Sequence, residues 1–132
     1  MDIKEVLEFA NNNKACWLAT SEDDQPHVRG MMMWFADETG FYYHTGTNKS
    51  LYDQLQSNPK VEIAYFNNAQ NQQDSRMMRL TGRVEMVQDQ VLEEKLFQDR
   101  PWLHAVKQAN PDTQVVIFRV FSGEIQFWNM MV

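Results

Sequence analysis

A polar loop within residues 41–59 carries the side chains best suited to chemistry in this sequence. It combines hydroxyl and amide donors with one fixed positive charge: Thr45, Thr47, Asn48, Lys49 and Ser50. Ser50 and Asp53 have the spacing of a capping box, which predicts that the loop ends at the N-terminus of a helix. Backbone N–H groups and the positive end of a helix dipole favour an anion, most naturally a phosphate. The alternative is an ordinary strand–loop–helix connection whose polar residues only face water.

An arginine in the preceding apolar segment is the second candidate. In residues 27–36, strand alternation places Arg29 on one face with Met31, Met33 and Phe35. A charge on a mostly apolar face is costly unless an anion accompanies it. Gly30 removes a side chain and lets another group approach the backbone closely. The alternative is that Arg29 reaches out to the rim of the fold and that Gly30 marks a β-bulge.

The cysteine and histidine content excludes several kinds of site. Cys16 is the only cysteine, which excludes an intrachain disulfide and a cysteine-based zinc site. It lies in an apolar segment, and we expect it to act as a small hydrophobic residue rather than a nucleophile. His27, His44 and His104 lack metal-ligand spacing, so we expect no metal. His44 is a candidate proton donor, because the ordinary pKa of histidine is near neutrality, or alternatively a structural histidine.

Composition and charge narrow the class of protein. The chain has 132 residues, 43% hydrophobic and 12% aromatic, which predicts one globular domain over residues 1–132. A net charge of −6 makes nucleic acid a poor partner, and any anionic ligand needs a local cluster of Arg and Lys. We find no signal peptide and no apolar run long enough to span a bilayer, so we expect a cytoplasmic protein without a membrane partner.

Turn signals and apolar periodicity predict a mainly β fold with short helices. We expect strands at residues 15–21, 27–36, 41–45, 61–66 and 77–87, and a closing hairpin of strands at 115–120 and 124–130 across Ser122-Gly123. We expect helices at residues 3–10 after Asp2, 50–56, 90–97 after Asp89, and 101–106. Six or seven strands with short connections suggest an antiparallel barrel with helices at its ends.

A series of short motifs occurs in a specific order along the chain. They are Pro26-His27-Val28-Arg29, Asp37-Glu38-Thr39-Gly40, Tyr43-His44-Thr45, Lys49-Ser50, Gln54-Leu55, Asn58-Pro59 and Val61-Glu62-Ile63, followed by residues 79–85 with the sequence Arg-Leu-Thr-Gly-Arg-Val-Glu. This order resembles the pyridoxamine 5'-phosphate oxidase-like FMN-binding split-barrel family. The resemblance covers most of the chain from Asn13 onward. It implies a six- to seven-stranded antiparallel split β-barrel of the FMN-binding type.

The same resemblance implies FMN held at the interface of a homodimer. It assigns positions to the phosphate (Arg29, Lys49, Ser50), to the ring along the strand backbone (Met31, Met32, Met33) and to the flavin and ribityl chain (His44, Thr45). It further implies a small oxidoreductase acting on a small-molecule substrate. One alternative is a flavin-binding or stress-related redox-sensing module without turnover. Another is a barrel with a different ligand or none, because fold does not fix function.

The resemblance is closer to short members of the family than to the full-length oxidases of the vitamin B6 pathway. Those enzymes carry a C-terminal segment with an arginine and a histidine for pyridoxal phosphate, and the sequence ending at Val132 shows no such segment. Met77 also stands where they tend to have a glutamine near the flavin. We therefore expect a likeness to general stress proteins and nitroimidazole reductases, and no oxidation of a B6 vitamer.

Overall fold

Seven strands form one antiparallel sheet in the computed structural model, which describes residues 2–129 apart from the side chain of Ser122. The strands are β1 Ala15–Glu22, β2 Gln25–Met32, β3 Phe35–Asp37, β4 Gly40–Gly46, β5 Lys60–Phe66, β6 Arg76–Val87 and β7 Val115–Asn129. Their order in the sheet is β2-β1-β5-β6-β7-β4-β3. The expected mainly β, antiparallel fold is confirmed. Met130, the expected end of the last strand, lies outside the described residues.

Four helices accompany the sheet in the part of the chain that the structure describes. They are α1 Ile3–Asn12, α2 Ser50–Ser57, α3 Gln90–Asp99 and α4 Leu103–Ala109, with a single 3₁₀ turn at Gln72–Asp74. Two expected N-caps are confirmed, since Asp2 accepts from the Lys4 amide at 3.1 Å and Asp89 accepts from the Leu92 amide at 3.1 Å. Within residues 2–129, no helix has the length and apolar character needed to cross a membrane.

The expected single strand over residues 27–36 is wrong, because the chain turns a corner between β2 and β3. The Met33 amide donates to the Lys14 carbonyl at 2.9 Å, and the Trp34 amide donates to the Tyr42 carbonyl at 2.9 Å. The backbone thus leaves β1 and joins β4 within two residues. Since β2 and β3 are the outer strands of the sheet, this corner links its two edges and closes it as a split barrel.

The expected closing hairpin is also wrong, because β7 is one continuous strand. Residues 115–120 of β7 pair with β4 on one side, while residues 117–129 pair with β6 on the other. The register shift between Gly82 and Val84 of β6 marks a bulge in β7, where residues 121 and 122 lie opposite Arg83, and Gly123 pairs directly with Gly82. Ser122-Gly123 therefore lies within a strand at a close backbone approach rather than in a turn.

Two hydrophobic cores lie on opposite faces of the sheet. The inner core fills the barrel, and its largest fully buried side chains include Leu18, Met33, Tyr43, Ile63, Tyr65 and Phe118. The outer core lies where α3 and α4 cover the sheet and contains Trp34, Tyr42, Leu96, Leu103 and Ile117. Cys16 belongs to the inner core, and burial raises the pKa of its thiol to about 11. It stays protonated, which supports the expectation that it is not a nucleophile.

Candidate functional site

Arg29 lies on β2 with its side chain half-buried toward the barrel. Its Nη1 donates to the Leu18 carbonyl at 3.3 Å and to Thr20 Oγ1 at 3.0 Å. Its Nη2 donates to Gln54 Oε1 of α2. Burial lowers the pKa of Arg29 from its ordinary value, although a guanidinium remains charged at physiological pH. All these acceptors are neutral, so the positive charge of Arg29 is uncompensated by the groups that hold it.

The loop before α2 differs in detail from the expected capping box. Ser50 is the first residue of the helix, Lys49 occupies the N-cap position, and no side chain caps the helix. The expected Ser50–Asp53 capping box is therefore wrong. The turn is fixed instead by its backbone, since the Lys49 amide donates to the Gly46 carbonyl at 3.0 Å. The first N–H groups of α2 are left without a side-chain cap, which suits a helix terminus that meets an anion.

Arg29 and the start of α2 face the same concavity, which we call the β2–α2 cavity. It has a volume of about 270 Å³ and is lined by Arg29, Gly30, Met31, Thr45, Lys49, Ser50 and Leu51. Five of the eight expected cofactor residues lie here, although they come from two strands and a helix. Among the described residues, the lining of this cavity contains two cationic residues and no acidic residue.

A shallow apolar cavity adjoins the β2–α2 cavity along β2, and we call it the β1–β2 cavity. It has a volume of about 330 Å³ and is lined by Ala15, Cys16, Trp17, Gly30, Met31 and Met32. The two cavities share Gly30 and Met31. Gly30 pairs in regular register with Trp17, so the alternative of a bulge at Gly30 is wrong. A Cβ at Gly30 would meet only Trp17 Nε1, at 4.0 Å, which leaves open space above the strand.

Met32 and Met33 lie on different sides of the sheet. Met32 is 58% exposed and lines the β1–β2 cavity, whereas Met33 is fully buried in the inner core. The side chain of Met33 therefore does not line the cavities described here. Its carbonyl is engaged too, because it accepts from Arg100 Nη2 at 2.8 Å.

His44 is held by an arginine that the sequence did not indicate. Arg100 Nη1 lies 2.7 Å from His44 Nε2 and also donates to the Met32 carbonyl at 3.2 Å. An arginine can only donate, so Nε2 accepts and the imidazole proton resides on Nδ1. Burial and the positive charge of Arg100 lower the pKa of His44 to about 4. The candidate role as a proton donor depended on the ordinary pKa of histidine, and the lowered pKa makes His44 a neutral group at physiological pH.

His44 faces a third cavity, between the end of β4 and α4, which we call the β4–α4 cavity. It has a volume of about 370 Å³ and is lined by His44, Thr45, Gly46, Asn48, Lys49, Trp102, Leu103, Val106, Asn110, Thr113 and Val115. Thr45 and Lys49 line the β2–α2 cavity as well, so the two cavities are adjacent. One wall is apolar, from α4 and Val115, and the opposite wall is polar. Such a combination is typical of small-molecule sites.

Sequence reasoning missed Trp102, which lines the β4–α4 cavity, and three residues that hydrogen-bond to Arg29 or His44: Thr20, Gln54 and Arg100. The Gln54-Leu55 motif was the only signal for any of them. The other contacts depend on tertiary pairing that no local pattern shows. No group of three or more His, Cys, Asp or Glu that could hold a metal occurs among residues 2–129.

Comparison with known proteins gives one family. The family model described as pyridoxamine 5'-phosphate oxidase matches residues 3–129. A pyridoxine/pyridoxamine 5'-phosphate oxidase of Pseudomonas putida (strain W619) is 32% identical over 107 residues, which cover 80% of this chain. The match covers 47% of that oxidase, so the chain spans about half the length of the curated relative.

Solved structures agree with the fold. A NimC/NimA family protein from Clostridium acetobutylicum has a TM-score of 0.79 and 27% identity, with 97% of this chain and 88% of that chain covered. An FAD-binding protein from Mesorhizobium loti has a TM-score of 0.70 and 20% identity, with coverage of 96% and 92%. The second likeness, at this identity, concerns the fold alone.

Proposed function

Because the chain belongs to the pyridoxamine 5'-phosphate oxidase family, we propose that it binds FMN and acts as a small oxidoreductase. The observation that carries the proposal is the β2–α2 cavity, where Arg29 and Lys49 meet the start of α2. Two cations and uncapped helix N–H groups suit the single terminal phosphate of FMN. The fold shared with the FAD-binding protein of Mesorhizobium loti supports a flavin in general.

The β1–β2 cavity provides the surface for the flavin ring. It adjoins the β2–α2 cavity, where the phosphate would bind, because both cavities are lined by Gly30 and Met31. Its lining is apolar. The missing side chain at Gly30 allows a flat ring to approach the strand backbone. Met32 and Trp17, both exposed, would cover part of that ring and exclude water. When bound, the flavin supplies the electron transfer, and the protein supplies position and environment.

The β4–α4 cavity provides the site for a small-molecule substrate. Trp102 and Val106 are exposed at its apolar wall, and Lys49 places it beside the phosphate end. His44 offers a neutral donor through Nδ1–H, because Arg100 occupies Nε2. We therefore assign His44 to orienting a substrate by a hydrogen bond.

A second candidate function is a flavin-binding module without turnover. The observation that favours it is the protonation state of His44, whose pKa of about 4 removes a proton donor with a near-neutral pKa. Among residues 2–129, Lys49 is the only other titratable group that lines the β4–α4 cavity. A reaction that needs a general acid would then have to take its proton from water or from the substrate.

The outer face of the sheet provides the surface for a homodimer. Four apolar side chains on this face are between 46% and 67% exposed: Trp17 of β1, Val28 and Met32 of β2, and Trp128 of β7. Exposed apolar side chains in one region of a surface favour association with another protein. A second copy on this face would also cover the β1–β2 cavity, so the cofactor would lie at the interface.

The cofactor proposal is tested by loading purified protein with FMN and with riboflavin, and by the double substitution Arg29→Ala and Lys49→Ala. We expect visible flavin absorption for the wild type. The double variant should lose FMN affinity by about 10- to 100-fold per cation, with riboflavin affinity nearly unchanged, because only FMN has the phosphate. The matched control removes two exposed cations elsewhere, with Lys60→Ala and Arg83→Ala. Equal losses for both flavins would place the phosphate elsewhere, and no flavin uptake by the wild type would overturn the proposal.

Turnover is tested separately on the FMN-loaded protein. We expect stopped-flow mixing with NADH or NADPH to bleach the flavin absorption and a small-molecule acceptor to restore it. Failure with every donor and acceptor would favour the flavin-binding module over the oxidoreductase.

A further inference from the structure

The acceptors around Arg29 come from three different elements and are all uncharged. They are the Leu18 carbonyl and Thr20 hydroxyl of β1 and the Gln54 amide of α2. The two ion pairs seen among residues 2–129 involve Arg76 and Arg119 instead. The sequence contains 18 acidic and 12 basic residues, so carboxylates that could pair with an arginine are plentiful. The neutral surroundings of Arg29 are therefore a specific property of this site.

Gln54 is the centre of this arrangement. It is only 6% exposed and lies on the face of α2 that also buries Leu51 and Leu55. Its Oε1 accepts from Arg29 Nη2 and, at 2.6 Å, from the Thr20 hydroxyl. The Thr20 hydroxyl in turn accepts from Arg29 Nη1 at 3.0 Å. Three side chains on β1, β2 and α2 thus form a closed polar cluster that fixes the plane of the guanidinium.

The hydrogen bonds of Arg29 leave one edge of its guanidinium free. Both Nη1 protons and one Nη2 proton are donated to acceptors on β1 and α2. The Nε–H and the second Nη2 proton have no partner within residues 2–129. Adjacent N–H groups on one edge of a guanidinium suit two oxygens of a phosphate. Arg29 lines the β2–α2 cavity, where that phosphate would lie.

We infer that Gln54 is a positioning residue that orients Arg29 toward the cofactor phosphate and, being neutral, preserves its full positive charge for that phosphate. The inference rests on the proposed function, since it concerns the same β2–α2 cavity. A glutamate at this position would have nearly the same shape and would still accept from Arg29. It would, however, pair with the guanidinium and place a negative charge beside the ligand's own. The amide of Gln54 thus orients the guanidinium as a carboxylate would, but it does not neutralise the positive charge of Arg29.

The test compares Gln54→Glu with Gln56→Glu, which adds the same charge at an exposed position of the same helix. Dissociation constants for FMN and riboflavin are measured by flavin fluorescence. We expect Gln54→Glu to raise the dissociation constant for FMN by at least about 30-fold and that for riboflavin by less than about threefold. Gln56→Glu should change both by less than about threefold. Unchanged FMN affinity in Gln54→Glu, or an equal loss of both flavins, would overturn the inference.

A double-mutant cycle keeps the inference testable if the glutamate variant does not fold. Because Gln54 acts through Arg29, Gln54→Ala should lower FMN affinity in the wild-type background. It should have no further effect on that affinity once Arg29→Ala is present. Additive losses would indicate a purely structural role for Gln54. Circular dichroism thermal melts of each variant without ligand verify that all four proteins are folded.

Inorganic phosphate separates this inference from the flavin proposal. If the wild type binds no FMN but is stabilised thermally by phosphate, and Gln54→Glu abolishes that effect while Gln56→Glu does not, the flavin proposal fails and the role of Gln54 stands. Wild-type protein that responds to neither FMN nor phosphate would overturn both. FMN binding that is insensitive to Gln54→Glu would overturn only the role of Gln54.

Discussion

His44 and Arg100 show how one tertiary neighbour sets the chemistry of a side chain. The histidine is half-buried on β4, and the arginine reaches it from the end of α3. Burial and the adjacent cation both disfavour the imidazolium, which lowers the pKa of His44 from 6.5 to about 4. His44 therefore serves as a neutral hydrogen-bond donor, whereas the sequence suggested it as a candidate proton donor.

The pH dependence of stability follows from this shift. The folded pKa of His44 lies below the unfolded value, so the unfolded chain binds the proton first as pH falls. Stability from the neutral His44 is fully present above about pH 6.5 and is lost progressively toward pH 4. We expect the destabilisation caused by His44→Asn to be smaller at pH 5 than at pH 7.5 by about 2 kcal/mol.

Urea denaturation of wild type and variant at both pH values measures this difference. Comparing the two proteins at each pH removes the contribution of the many carboxylates, which titrate in both. A difference that does not change with pH would show that His44 has an ordinary pKa. A histidine NMR titration of the folded protein gives the same answer directly.

The site could be predicted from the sequence where strand alternation and loop chemistry decide it. Arg29 and Met31 share a face of β2, and Lys49 and Ser50 follow β4 at the start of a helix, as expected. Arg100 could not be predicted, because its contact with His44 joins positions 56 residues apart. Gln54, Thr20 and Arg29 likewise meet only after β1, β2 and α2 have packed together.

Among the elements, β7 differs most from expectation, and the reason is a glycine. Ser122-Gly123 has the composition of a turn, yet Gly123 pairs with Gly82 inside the sheet. A Cβ at Gly123 would collide with the Thr81 carbonyl oxygen and lie 3.1 Å from Leu80 Cδ1. The glycine is required because two backbones approach closely next to a bulge. Composition alone does not distinguish such a glycine from one in a turn.

Gly123→Ala should therefore destabilise the fold. We expect a loss of about 1–3 kcal/mol in the free energy of unfolding, because a backbone carbonyl cannot move aside as a flexible side chain could. Chemical denaturation measures the loss. Gly30→Ala is the matched control, since its Cβ meets open space and its stability should be unchanged or slightly raised. Equal stability of Gly123→Ala and wild type would contradict this account of β7.

The corner between β2 and β3 explains the other misassigned element. Residues 30–36 are apolar throughout, and no turn signal occurs at Met33 and Trp34. The break arises because Met33 enters the inner core while Trp34 enters the outer core. By contrast, α1, β1, β4 and α3 were predicted to within two residues, because caps or turn residues define their ends.

For the whole molecule, the distribution of exposed aromatic side chains predicts assembly. Trp17 is 49% exposed on the outer face of the sheet, next to Met32 and the β1–β2 cavity. We expect the wild type to sediment as a dimer and Trp17→Glu to sediment as a monomer, because a buried unpaired carboxylate opposes association. Trp102→Glu is the control, since Trp102 is similarly exposed, at 56%, but lies at the N-cap of α4. A monomeric wild type, or dissociation by Trp102→Glu alone, would contradict the proposed interface.

The strand order also has a consequence for how the chain folds during synthesis. The sheet places β7, the last strand within residues 2–129, between β6 and β4. Until it is made, β4 has only the short β3 as a sheet neighbour, and β6 presents an open edge to other nascent chains. The barrel can close only after residues 115–129 leave the ribosome. Completion of the sheet is therefore a late event in folding, and until then the open edge of β6 is a site at which aggregation can begin.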